Sequence, residues 1–325
     1  MGIKNLTNLI KSKSPDSIET KGLYTLKDKI IAIDASILIY KSLTNVRSGN
    51  SYLTNKEGKI VSHIIGLFYK VVLFKSFGII PIFVFDGKPP EEKKDVLIER
   101  NKKVTDSKKL IQQTDDIEKK QKLEKATVRI KKEHIEDLKK LFDLMGVNYV
   151  HPNCEAETYA AHLCKQNVAY GVYSEDMDTL AFGSPYLIRN CIDKSIKRKD
   201  VVSIFSLETI LSDFKMNYEQ FVEMCILCGC DYCETIPKIA SVRAYQLMTT
   251  HKTGEKIIIE NKNTPPNYLE KFNKAKSLFL EPKFDDYKII STTRNDKKLS
   301  DFLINDCNMS INRVQNALKK INNFI

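Results

Sequence analysis

The sequence predicts an α/β fold: a mainly parallel central sheet flanked by helices. Three observations carry that reading. Residues 29–35 (KIIAIDA) and 79–85 (IIPIFVF) are near-continuous apolar runs, the pattern of strands buried on both faces. Between them, Ile60 to Phe77 has helical period and a Gly78 stop, which makes a strand–helix–strand unit and therefore a parallel pairing. A third apolar run, Val168 to Tyr173, ends in Ser174-Glu175-Asp176-Met177-Asp178.

The other elements follow in order. Ile3, Leu6, Leu9 and Ile10 give residues 3–11 one apolar helical face. Ser36 to Leu43 reads as helix and Thr54 to Gly58 as a polar turn. From Glu91 to Met145 there is no Gly or Pro, and helix formers dominate. Apolar residues are sparse between Arg100 and Lys122, so these helices are expected to stand off the sheet. Leu97, Val104 and Ile111 recur at sevens, but Glu118 ends the pattern. Asn153 is the expected N-cap of the helix that carries Glu155 and Glu157. Leu207 to Cys228 reads as one helix, broken by Gly229, and Ala240 to Thr250 as another. Asn263 to Asn267 is a Pro-Pro loop, and Lys298 to Ile325 holds two short helices.

Net charge is +11, which favours a polyanion partner, nucleic acid first and an acidic membrane surface second. Residues 88–140 hold 17 Lys/Arg against 12 Asp/Glu, so this one stretch supplies nearly half of the surplus. No apolar run reaches the ~18 residues of a membrane span, so no membrane partner is expected. The N-terminus lacks a secretory core, and Leu6 breaks the myristoylation pattern. Eight unevenly spaced Cys point to a reducing compartment rather than a disulfide framework.

Asp34, Asp86 and the Asp176/Asp178 pair all follow strands at their carboxyl ends, the edge where open α/β sheets bind ligands. A lone Asp-x-Asp is better explained by an acidic surface turn. Three acid-tipped strands form a constellation. On an extended chain a spacing of two puts Asp176 and Asp178 on one side, where like charges repel without a cation between them. Adding Glu155, Glu157 and Asp231 gives seven all-oxygen ligands, suited to Mg²⁺ or Mn²⁺. Two such ions ~3.5–4 Å apart activate water and stabilise a leaving oxygen. Glu155 and Glu157 converge only if one lies in the helix entry, because helical neighbours turn apart; acids in a first turn are also common for dipole reasons alone. Cys225, Cys228, Cys230 and Cys233 form C-x₂-C-x-C-x₂-C, a rival metal pattern whose middle gap is too tight for two Cys-x-x-Cys knuckles. His63, His134, His151, His162 and His251 are not in ligand spacing, and no Gly-rich phosphate loop appears.

The strings IAIDAS, VFDGKPP (Val84 to Pro90), CEAE (Cys154 to Glu157), SEDMDTLAFGSP (Ser174 to Pro185), DYCE (Asp231 to Glu234) and FLEP (Phe279 to Pro282) occur in that order after a Met1-Gly2-Ile3 start. Over nearly its whole length the chain resembles the flap structure-specific endonucleases of the 5′ nuclease superfamily, eukaryotic and archaeal type.

That resemblance implies a structure-specific 5′ flap endonuclease and 5′→3′ exonuclease working in replication and repair by two-metal-ion phosphodiester hydrolysis. It implies a single nuclease domain over 1–325. Within it lie an N-terminal nuclease region (1–105), a helical arch (88–135) and an internal nuclease region (122–255). The internal region contains a helix-two-turn-helix DNA-binding element at about 218–255, and a C-terminal helical extension spans 256–325. The seven carboxylates become ligands of two Mg²⁺, with Mn²⁺ as substitute. Lys93 and Arg100 become the catalytic basic pair at the base of the arch. DNA contacts fall to Gly2, Tyr40, Arg47, Lys70, Lys93, Arg100, Lys103, Glu155, Gly229, Asp231 and Arg243. The expected partner is branched double-stranded DNA with 5′ flaps, met by a monomer in the nucleus.

The departures are local. The family's Gly-Ile-Gly, which holds a duplex phosphate and K⁺, is here Lys238-Ile239-Ala240. A left-handed backbone at Lys238 costs ~1–2 kcal/mol relative to Gly, so a weaker duplex grip is expected. The family's acidic turn, which shapes flap discrimination, is here Asn55-Lys56-Glu57-Gly58-Lys59 with one acid, and Ile325 ends the sequence without a clamp-binding motif. A junction-binding protein without catalysis, and a relative that prefers gaps, nicks or 5′ ends, are the alternatives.

Overall fold

Alternation along three strands builds the centre of the molecule. In a computed structural model, which describes residues 2–49 and 51–322, Ile31, Ile33, Phe83, Phe85 and Tyr173 join one apolar cluster. Their neighbours Ala32, Ile82, Val84 and Val172 join another on the opposite face. Period-two side chains buried on both sides require a layer of helices on each face of the sheet.

The strands are β1 (Ile18–Gly22), β2 (Ile30–Asp34), β3 (Arg47–Ser48), β4 (Ser51–Tyr52), β5 (Ile80–Val84), β6 (Asn148–Val150), β7 (Gly171–Tyr173), β8 (Tyr186–Asn190) and β9 (Val201–Ser206). β3 and β4 form a separate hairpin; the rest make one sheet in the order β1-β9-β8-β7-β2-β5-β6. From β6 to β8 every pairing is parallel, and only β9 runs against its neighbours. Ile33 lies opposite Phe83 on one side and Tyr173 on the other, so the carboxyl ends of β2, β5 and β7 share one edge. The chain moves outward from β2 through β5 to β6, then crosses back to β7. That reversal opens the crevice between β2 and β7 where a doubly wound sheet binds its ligand.

One helical layer holds Ala35–Asn45, Ser62–Lys75 and Lys132–Met145; Ala156–Lys165 covers the other face. Leu6–Lys13, Tyr218–Cys228 and Tyr268–Leu280 contribute to a further apolar cluster that reaches β8 and β9 through Leu187 and Phe205.

Four local expectations change. The predicted Leu207–Cys228 helix is two helices, Leu207–Phe214 and Tyr218–Cys228, because Lys215 turns left-handed at φ 52°. Of the helices expected to stand off the sheet, Lys94–Gln113 and Ile117–Ala126 bury no residue. The third, Lys132–Met145, packs down through Leu138, Leu141, Phe142 and Met145. Asn153 does not cap its helix, which begins at Ala156 with Glu155 in the cap position. Finally, Asp176 and Asp178 do not lie on an extended chain, since Asp178 opens the short helix Asp178–Ala181.

All eight cysteines are free, and Cys225, Cys228, Cys230 and Cys233 are buried. Among the described residues the one grouping able to hold an ion is carboxylate, not thiol, so these cysteines serve as small core hydrophobes. No helix among the described residues is long and apolar enough to cross a membrane.

Candidate metal centre

Two strand-end aspartates cap helices. Asp34 ends β2, and its Oδ1 accepts from the N–H of Ile37 at 3.3 Å in the first turn of Ala35–Asn45. Asp86 lies two residues beyond β5, and its Oδ1 accepts from the N–H of Ala156 at 2.8 Å. This cross-strand cap replaces the one expected from Asn153. It leaves Glu155 extended at φ −66°, ψ 147°, the one arrangement in which Glu155 and Glu157 converge. Lys93 meets both: its Nζ contacts Glu155 Oε1 and lies 3.9 Å from Glu157 Oε1.

The acidic run after β7 folds back on itself. Ser174 Oγ accepts from the N–H of Asp176 at 3.1 Å, and Asp176 Oδ1 accepts from the N–H of Asp178 at 3.2 Å. Oxygens of Glu157, Asp176 and Asp178 then fall within 4.8 Å of one another. Gly2, at φ +76°, lies against this cluster; a Cβ there would sit 1.8 Å from Asp176 Oδ1. A side chain there would have to displace the Asp176 carboxylate and would strain the left-handed backbone. Asp231 arrives from the loop after Tyr218–Cys228, which Gly229 breaks at φ +91°. Both its oxygens accept from Arg100 Nη2, at 2.9 and 2.8 Å, and Lys93 Nζ lies 3.1 Å away.

Burial raises the cost of charge here. It pushes the Asp34 carboxyl up to about 7, with Asp86 and Asp176 adding repulsion against hydrogen bonds from Ile37 and Ser174. Burial also drives Asp178 well above the usual range, helped by Asp176 and Asp231, and Glu157 likewise, helped by Glu155 and Asp86. Asp231 goes the other way: burial opposes its charge, but Lys93 and Arg100 outweigh it. Lys93 is held above the usual lysine range because Glu157, Glu155 and Asp231 overcome its desolvation.

Two cations do not balance seven acids. Both carboxylate oxygens of Asp178 are buried without a hydrogen-bond partner among the described residues, a costly state unless a cation is bound. An all-oxygen set of this kind fits a hard divalent ion.

The structure does not bring every predicted contact into the cleft. Tyr40 is 39% exposed on Ala35–Asn45, its hydroxyl donating to Lys125 O at 3.3 Å. Arg47 lies over the Tyr52 ring, with its guanidinium carbon 4.3 Å from the centroid. Lys70 turns inward, donating to the Tyr173 hydroxyl at 2.8 Å, and burial lowers its ammonium to about 8. Lys103 is exposed on Lys94–Gln113 and pairs with Glu99. Arg243 is exposed on Ser241–His251.

Two polar residues escaped the sequence reading. Tyr232 donates to Glu155 Oε2 at 2.6 Å, and Ser174 donates to Asp34 Oδ2 at 3.0 Å. Their only signal was adjacency, Tyr232 following Asp231 and Ser174 standing between strand and acids.

Residues 1–108 match the XPG N-terminal domain and residues 146–231 the XPG I-region. Over 331 residues the chain is 38% identical to Flap endonuclease 1-B of Xenopus laevis, covering 99% of this chain and 86% of that relative. The chain belongs to the flap endonuclease 1 family. The Homo sapiens flap endonuclease 1 is 37% identical with the same coverage. Among solved structures, the flap endonuclease-1 of Methanococcus jannaschii superposes with a TM-score of 0.71 at 26% identity, over 95% of this chain and 96% of that one. The catalytic core of Rad2 in complex with DNA substrate shares the fold, with a TM-score of 0.72 at 20% identity over 98% of this chain and 100% of that one.

Proposed function

We propose that this flap endonuclease family member is a structure-specific 5′ flap endonuclease and 5′→3′ exonuclease that hydrolyses phosphodiesters in branched DNA during replication and repair. The observation that carries the reading is the buried carboxylate set at one sheet edge, with both Asp178 oxygens unpartnered by protein among the described residues. Asp34, Asp86, Glu155, Glu157, Asp176, Asp178 and Asp231 hold two Mg²⁺, and Mn²⁺ substitutes. The chemistry a bound ion pair supplies is activation of water and neutralisation of charge on the phosphate and leaving oxygen.

The chain's own residues do the rest. Lys93 and Arg100 start on Glu155 and Asp231 and turn their donors to the scissile phosphate, where charge develops. Exposed Tyr40 stacks on a base beside the cut. Gly2 lets backbone approach the carboxylates where a side chain would collide. Residues 88–135 form the arch over the flap, its basic surplus contacting phosphates. Arg47, Lys70, Lys103 and Arg243 contribute the wider electrostatic footprint, with Lys70 turning outward from Tyr173 to do so. Residues 218–255 form the helix-two-turn-helix, where Gly229 ends one helix and the 238–240 turn grips the duplex with K⁺. The protein acts as a monomer in the nucleus.

A second reading has a specific observation behind it. Lys238 adopts φ 68°, a left-handed conformation that disfavours residues bearing a Cβ. A weakened grip on one duplex arm favours substrates such as gaps, nicks or 5′ ends. Rates on matched double-flap, gapped and blunt substrates, each with Mg²⁺ and with EDTA, separate the two. A double flap cut fastest, and only with metal, supports the first reading; a blunt end or gap cut faster supports the second. Cleavage in EDTA contradicts both.

A further inference from the structure

Ser174 is wholly buried and immobilised from three directions. Its backbone N–H donates to Ile188 O at 3.2 Å, tying it to β8. Its hydroxyl donates to Asp34 Oδ2 at 3.0 Å and accepts from the N–H of Asp176 at 3.1 Å. One oxygen atom therefore spans the crevice between β2 and β7, where the sheet reverses direction. Asp34 Oδ1 is already engaged by Ile37. The two bonds, one on each oxygen, together fix the rotation of the Asp34 carboxylate. The same hydroxyl starts the backbone turn that carries Asp176 and then Asp178.

We infer that Ser174 is a positioning residue for the metal centre, orienting the carboxylate of Asp34 from one strand and the turn of Asp176 from the next so that both meet the same ions. It touches neither substrate nor reacting atoms and acts through the two aspartates. A hydroxyl is needed because this site requires one donor and one acceptor on a single small group. Thr supplies the same pair; Ala supplies neither; Cys keeps the volume with a far weaker version of both. Partners that orient ligands in this way are typically worth about 10–100-fold in metal affinity or activity.

This inference rests on the nuclease reading, and the experiment separates the two. Ser174→Ala, Ser174→Cys and Ser174→Thr are compared with wild type by Ca²⁺ calorimetry on DNA-free protein, and by Mg²⁺ titration of double-flap cleavage under single-turnover conditions. Expected are a roughly tenfold or greater loss of Ca²⁺ affinity and a matching rise in the Mg²⁺ midpoint for both Ala and Cys variants. Flap affinity stays within a few-fold, and Thr restores all values. Thermal melts of the Cys variant guard against an Ala variant that does not fold. Ala and Cys variants that bind Ca²⁺ as wild type would overturn the inference, as would a Thr variant that fails to rescue. A wild type that binds Ca²⁺ yet cuts no DNA would refute the nuclease reading instead.

Discussion

The carboxylate cleft and the pair of helices at Lys94–Gln113 and Ile117–Ala126 are both dense in charge, and they are built on opposite principles. In the cleft, acids are driven together by a sheet whose strand ends share an edge, and burial makes their charge costly. In the two helices no residue is buried, so charges are solvated and cheap. Lys93 and Arg100 connect the regions: each is rooted at or just before Lys94–Gln113 and points its cation at Asp231 of the cleft. The lesson is that the same residue types carry chemistry where the fold withholds water and carry long-range attraction where it does not.

The largest expected effect comes from within the cleft. Asp178→Asn reduces flap cutting to background while flap binding stays within a few-fold, measured by single-turnover cleavage and by fluorescence anisotropy. Loss of binding in that variant would mean the metals anchor the substrate too. Next is the connection. Lys93→Met lowers the cleavage rate about 100-fold or more, the typical cost of removing one transition-state donor. The same variant binds Ca²⁺ more tightly without DNA, because an ammonium competing for Glu155 and Asp231 is gone. Weaker Ca²⁺ binding would show Lys93 to be part of the ion site's support.

Smaller effects test the periphery. His134, at the start of Lys132–Met145, is held neutral: burial and then His63 lower it from 6.5 to about 4. The unfolded chain therefore takes up the extra proton first, and stability contributed by the neutral ring is lost as pH falls from about 6.5 to about 4. His134→Asn flattens urea-derived stability across that window; an unchanged slope would assign the pH response elsewhere. Lys238→Gly relieves the left-handed strain and raises stability by about 1 kcal/mol or less. Ile117→Ala, at a residue 69% exposed, moves stability by less than about 0.5 kcal/mol.

The parallel sheet was legible because strands buried on both faces read as unbroken apolar runs, and each ran straight into an acid. Asp34, Asp86, Asp176 and Asp178 were placed by that logic. Glu155, Glu157 and Asp231 needed family strings, since their approach depends on a helix start set by Asp86 from a distant strand and on a loop shaped by Gly229. No spacing rule reaches across such a gap. Asn153 misled for the same reason: a local cap was expected where a remote carboxylate does the work. Ser174 and Tyr232 stayed hidden because a lone hydroxyl carries no periodic signal. The inward turn of Lys70 toward Tyr173 likewise depends on packing between Ser62–Lys75 and β7, which composition does not encode.

The central claim is that buried acids at the sheet edge, and not the many solvated ones, form the divalent-ion site. The most direct test is Mn²⁺ binding to DNA-free protein, followed by electron paramagnetic resonance, in wild type, Asp178→Asn and Asp115→Asn. The predicted result is saturable binding in wild type and in the Asp115 variant, with a large loss in the Asp178 variant. Equal binding by all three would contradict it.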